Sequence, residues 1–144
     1  MKRERHSRPH PEGRAVWFTD NLWQKAKALK MQPVKIAKIK EFHMNCWFDE
    51  KNPPTCLNVA RHAQRIAAAD LAYPIILSSD GGLMDGGHRL AKAWNQGLEY
   101  VDAVQFTEDP EPDYIEPQSG GPNPAGAQLP GAPSPEPTGH DRRQ

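Results

Sequence analysis

The chain has 144 residues and equal numbers of basic and acidic side chains, 18 of each, so it is sized for one small domain. Its zero net charge excludes a broad electrostatic footprint for a nucleic-acid backbone. Two cysteines, Cys46 and Cys56, exclude a disulfide-stapled scaffold and a C-x-x-C redox motif, which points to thiols in a reducing compartment.

No apolar run has membrane-spanning length, and the arginine-rich start has no apolar stretch of the signal-peptide kind. The expectation is a cytoplasmic protein with no membrane partner. Charge divides the chain into three segments. Residues 1–14 carry Lys2, Arg3, Arg5, Arg8 and Arg14 against Glu4 and Glu12, a net +3, and are expected to form a flexible basic N-terminus. Residues 15–106, with 11 basic and 9 acidic groups and a net +2, are expected to form the folded domain. Residues 107–144 hold 9 of the 15 prolines and 5 of the 11 glycines. Tyr114, Ile115 and Leu129 are the only large apolar residues in that stretch. Too little apolar surface is present there to offset ordering entropy, so the expectation is a disordered acidic tail that serves solubility or a protein partner.

Within the domain, Thr19 and Asp20 suit the start of a helix over 21–30 with Leu22, Trp23, Ala26 and Leu29 on one face. Pro33 breaks that pattern. Residues 34–42, VKIAKIKEF, read as a half-buried strand with Lys35, Lys38 and Lys40 in solvated outer positions. After a loop at Asn52, Pro53 and Pro54, Thr55 can cap a helix over 57–71, with Val59, Ala60, Ala63, Ile66 and Ala67 turned inward. A short apolar strand, PIILS, then meets the turn residues SDGG, which favour a hairpin to a return strand over 83–85. A helix over 88–96 follows, with Leu90, Ala93 and Trp94 as its buried face and Gly97 in the left-handed position past its end. A last strand over 100–106 joins the same sheet, which makes the fold class α+β with a mixed sheet and short helices.

The stretch LMDGGHRLAKAWNQG, residues 83–97, carries the densest chemistry. A helix N-terminus offers unpaired N–H groups and a partial positive charge. Gly86 and Gly87 would admit a ligand close to the backbone, Arg89 could fork onto a phosphate oxygen, and His88 could hydrogen-bond or transfer a proton. Asp85 could hold magnesium or orient a nucleophile. The same residues also describe a tight strand-to-helix turn with an acidic cap, its histidine and arginine pointing into water. Both readings stand on local chemistry alone.

The order of elements from PIILSSDGG through DGGHR to YVDAVQF resembles the ParB N-terminal domain and sulfiredoxin superfamily. The likeness covers roughly residues 33 to 106. It implies a nucleotide-phosphate role for Gly86, Gly87, His88 and Arg89. It also implies a nucleoside triphosphate or diphosphate as cofactor and sets Asp85, as in the kinase-type members, near the reacting phosphate; with the local chemistry above, the expectation is catalytic roles for Asp85 and His88 and magnesium at Asp85. An upstream glutamate that the kinase-type members need would be Glu41 or Glu50. Two departures bear on function. Gly87 stands where sulfiredoxins carry their nucleophilic cysteine, which removes sulfinic-acid repair. The helix-turn-helix region that follows this domain in partition proteins is replaced here by proline-rich sequence, so sequence-specific DNA binding has no module to carry it.

His43, Cys46, Cys56 and His62 form H-x2-C-x9-C-x5-H, four side chains of the kind zinc accepts in an irregular order. Trp17, Trp23, Trp47 and Trp94 suit packing or nucleobase stacking. The expectation is therefore a nucleotide-binding protein, possessing either hydrolase or phosphotransferase chemistry. Its rivals are a ParB-like DNA-associated accessory protein or nuclease, and a non-catalytic adaptor.

Overall fold

A computed structural model describes residues 3–117 and gives an α+β architecture. Its elements are β1 (Arg5–His10), β2 (Gly13–Phe18), α1 (Thr19–Ala26), β3 (Gln32–Lys35), α2 (Cys56–Ala68), β4 (Ile75–Leu77), β5 (Leu83–Asp85), α3 (Gly87–Asn95), β6 (Tyr100–Gln105) and β7 (Tyr114–Glu116). Two sheets result: an antiparallel one ordered β1-β2-β7, and a mixed one ordered β3-β6-β4-β5 in which β4 and β6 run parallel.

Period-two alternation in β4 and β6 splits the core into two layers. Ile76, Val104 and Phe106 face one side of the mixed sheet, where Ala15 and Trp17 of β2 and Leu22 and Ala26 of α1 cover them. Ile75, Leu77, Val101 and Ala103 face the other, covered by Leu90 and Ala93 of α3 together with Ile36 and Ile39. The mixed sheet is thus buried on both faces, with the antiparallel sheet and α1 as one cover and α3 as the other.

The flexible N-terminus expected for residues 1–14 is corrected: β1 pairs with β2 from Arg5 opposite Phe18 to His10 opposite Gly13. Basic composition suggested a solvated arm, but β1 is an edge strand whose backbone is fixed by pairing, and it tolerates Pro9 there. The boundary at 106 is corrected as well. β7 pairs with β2, setting Ile115 opposite Ala15, and Trp17 Nε1 donates to the Pro110 carbonyl at 2.9 Å. The remainder of the expected tail, residues 118–144, lies outside the described residues.

Helix α1 begins two residues before the expected start, so Thr19 and Asp20 are helical instead of capping. The Thr19 N–H donates to the Glu4 carbonyl at 2.9 Å, so the residue before β1 supplies the partner that a capping side chain would have supplied. The expected strand over 34–42 ends at Lys35 and gives way to two turns of 3₁₀ helix, Ile36–Lys38 and Lys40–His43. Ile36 and Ile39 both enter one core layer, a spacing of three that suits three residues per turn and defeats a strand.

Thr55 does cap α2, its Oγ1 accepting from the Asn58 N–H at 3.1 Å. The inward face expected for that helix is corrected: none of its side chains is buried, and Val59 is 48% exposed. Only Asn58, His62 and Ile66 are half-buried, a single i, i+4, i+8 stripe. Lys92 of α3 holds the far end of α2 by donating to the Ala67 and Ala69 carbonyls at 2.9 and 2.6 Å. Trp94 is also corrected, being 53% exposed while Leu90 and Ala93 are buried. Past α3 the Leu98 and Gly97 N–H groups donate back to Ala93 and Trp94, with Gly97 at φ +83°, as its position after the helix led one to expect. Among the described residues no helix is long and apolar enough to cross a membrane.

Candidate functional site

The DGGHR stretch sits where β5 turns into α3, at the floor of a cleft of about 990 Å³ walled by β1, the loop at 44–49 and the end of α2. Gly86 adopts φ +122°, and a Cβ there would lie 2.5 Å from Ile75 Cγ2, so this glycine is required by the turn and by the core beneath it. A Cβ on Gly87 would lie 3.3 Å from Trp47 Nε1. The room that Gly87 leaves beside the helix start therefore admits the indole of Trp47.

Asp85 and Arg89 face one another across one helical turn. Arg89 Nη2 donates to Asp85 Oδ2 at 2.9 Å, and Trp23 Nε1 donates to the same oxygen at 3.0 Å. The guanidinium also lies over the Trp23 ring, 5.5 Å from its centroid. Arg89 Nε is buried without a protein partner. An acid so engaged does not fit a protein-built magnesium site, and among the described residues no three His, Cys, Asp or Glu side chains converge to hold a metal. In this structure the Asp85 carboxylate is engaged by Arg89 and Trp23 through Oδ2.

The zinc constellation is likewise not assembled. His43 Nε2 bonds to the Ala37 carbonyl at 2.8 Å, Cys46 and Cys56 are exposed thiols, and His62 pairs instead with His88.

His88 and His62 are joined by an Nε2 to Nδ1 hydrogen bond of 2.8 Å. Trp47 lies flat against both rings, with centroids 4.5 Å from His88 and 4.8 Å from His62. Burial, then the charge of Arg65, that of His62 when protonated, and that of Arg89, push His88 down to about 4. Burial and Arg65 lower His62 in the same direction. Both imidazoles are therefore neutral at pH 7.

Most of the cleft's cationic wall comes from residues the sequence did not single out. Arg8 and Arg65 join Arg89 around it, among the acids Glu4, Glu41, Asp49 and Asp85, while the Arg5 side chain turns to Tyr114 and that of Arg14 to Ser7 on the other face of β1. Arg8 Nη2 donates to the fully buried Ser78 Oγ at 2.7 Å and Arg8 Nε to His6 Nε2 at 3.2 Å. Burial and Arg8 push His6 down to about 4, so a second neutral imidazole lines the cleft. Arg65 reaches Glu4 at 3.5 Å, and Arg14 donates to Ser7 Oγ at 3.2 Å. Glu41 enters the same cleft with Oε1 buried and without a partner, whereas Glu50 is exposed. A signal was present for β1: His6 and Arg8 recur at the period of two that places side chains on one strand face.

A second, largely apolar pocket of about 820 Å³ adjoins the cleft, its lining including Phe42, Met44, Phe48, Pro54, Leu83 and Leu90. Trp47 and Gly87 line both. Compared with known proteins, the chain matches no family model, no curated protein and no solved structure.

Proposed function

We propose that the chain is a ParB/sulfiredoxin-like nucleotide-binding protein that holds a nucleoside diphosphate or triphosphate across the two adjoining cavities. The observation that carries this reading is the pairing of a cleft that holds Arg8, Arg65 and Arg89 with an apolar pocket that shares Trp47 with it. Phosphates suit the arginines, because guanidinium N–H groups bond charged oxygens strongly in part-buried sites. A base suits the apolar side, where Phe42, Phe48 and Trp47 offer ring surfaces. The turn from β5 into α3 adds the N–H groups of a helix start. The two exposed thiols are compatible with a reducing, cytoplasmic setting.

In this reading Arg89, held by Asp85, is a fixed phosphate ligand, and Gly86 and Gly87 shape the turn that presents the helix-start N–H groups to the phosphate. His88 is the group placed to exchange a proton with whatever fills the cleft. A hydrolase or phosphotransferase would use that exchange.

A thermal-shift series with ATP, ADP, CTP and GTP, each with and without magnesium, tests the reading. A ligand at 100 times its Kd stabilises by about 2.7 kcal/mol, a readily measured shift. Arg65→Ala, at a half-exposed position, should weaken the nucleotide that binds by about fivefold. Absence of a shift with all four nucleotides overturns the proposal.

A further inference from the structure

Trp47, His62 and His88 come from a loop, from α2 and from α3, yet they form one flat assembly. The two imidazoles are within 6° of parallel with centroids 5.1 Å apart, while their bonded nitrogens are 2.8 Å apart. That combination is an edge-to-edge pair sharing a plane, roofed by the indole. α2 buries none of its side chains, so a helix that contributes little to the core presents a histidine to the wall of the cleft. His88 lines the cleft itself.

We propose that His62 and His88 act as one proton-accepting unit for the arginine cleft, with His88 taking the proton at the bound anion and His62 passing one to solvent. The inference rests on the cleft binding an anion. In the neutral pair one N–H is shared between His88 Nε2 and His62 Nδ1, which leaves His88 Nδ1 and His62 Nε2 as outer atoms, one with a lone pair and one with a proton. A proton arriving at His88 Nδ1 forms an N–H bond there. The His88 Nε2–H bond then breaks, its proton moves to His62 Nδ1, and His62 Nε2–H releases one to water. Both rings end neutral with their tautomers exchanged. If a bound anion supplies negative charge, the last release is withheld and the pair keeps one proton.

The charged groups that act on the pair are Arg65 from α2 and Arg89 from α3, with Glu4 beside Arg65. The loop side contributes Trp47 and Phe48, which do not titrate. Burial and these cations lower both imidazoles, His88 to about 4, and an anion next to Arg65 and Arg89 offsets them.

Sulfate is the probe, because it does not itself titrate in the range used. Calorimetric titration in two buffers of different ionisation enthalpy counts the protons taken up. The native chain should take up close to one proton per sulfate at about pH 5.5 and none at about pH 8. His88→Gln should abolish the uptake. His62→Gln should reduce it while leaving sulfate affinity at about pH 8 within about twofold, a pH profile that simple loss of packing would not produce. Sulfate binding without proton uptake by the native chain, or uptake surviving in both variants, overturns the proposal and leaves the nucleotide reading intact. If neither sulfate nor any nucleotide binds, both proposals fall. Should His88→Gln unfold the protein, His6→Gln decides: uptake should survive it, and uptake that it abolishes belongs to the other imidazole of the cleft and overturns the proposal.

Discussion

Arg89 Nη2 lies 2.9 Å from Asp85 Oδ2, and both side chains are about four-fifths shielded from water, at 18% and 20% exposure. The acid and the cation of DGGHR are therefore partners before any ligand arrives. Asp85 and Arg89 hold each other in place at the turn into α3. Asp85→Asn should leave Arg89 shielded and without its counter-charge and weaken the bond from Trp23, costing about 2 kcal/mol by urea denaturation. A variant as stable as the native chain would show the pair to be incidental.

The two glycines of the same stretch should respond differently to alanine. At Gly86 the added Cβ meets φ +122° and Ile75 at 2.5 Å, so Gly86→Ala should cost about 3 kcal/mol or more. At Gly87 the neighbour is the Trp47 ring at 3.3 Å, on a loop that can shift. Gly87→Ala should cost about 1 kcal/mol and alter tryptophan fluorescence as the indole leaves the imidazoles. Equal losses of stability at the two positions would contradict this division of roles.

Much of the mixed sheet was legible because its signals are local. Gly97 marks the end of α3, Thr55 the start of α2, and the alternation of β6 predicts which residues enter each core layer. The N-terminal strand was not legible, because an edge strand bearing arginines and prolines looks like a solvated arm until its partner is known. Asp113 and Tyr114 were obscured in the same way by the surrounding prolines. At the site, sequence located Asp85, His88 and Arg89 but not what they touch. Neither Trp47 on His88 nor Arg8 on Ser78 has a sequence-local signature, since each contact joins segments distant along the chain.

Acid should destabilise the fold through its depressed histidines. His6 and His88 fall from 6.5 to about 4 on folding, so below pH 6.5 the unfolded chain binds more protons than the native one. Their contribution to stability is present above pH 6.5 and is lost as pH falls toward about 4. Melting temperature measured across that window should decline, and His6→Gln with His88→Gln should flatten the decline. A profile unchanged by the double substitution would assign the acid sensitivity to other groups.

Asp113 ties the far end of the described chain to the start of α1. Its Oδ2 accepts from the Phe18 N–H at 2.7 Å and its Oδ1 from Asn21 Nδ2 at 3.0 Å, while its own N–H donates to the Val16 carbonyl at 2.8 Å. Phe18 holds the position before the helix and has no side-chain acceptor to offer, so this carboxylate supplies from β7's approach the negative charge that a helix start favours. Asp113→Ala should lower stability by about 1.5 kcal/mol through the lost bonds and the lost charge. Asp113→Asn keeps an acceptor but not the charge and should recover about half of that loss at low ionic strength. Because the contact is exposed, added salt should narrow the gap between the native chain and the asparagine variant without restoring the alanine variant. If all three chains melted together, the Asp113 carboxylate would contribute nothing to the start of α1.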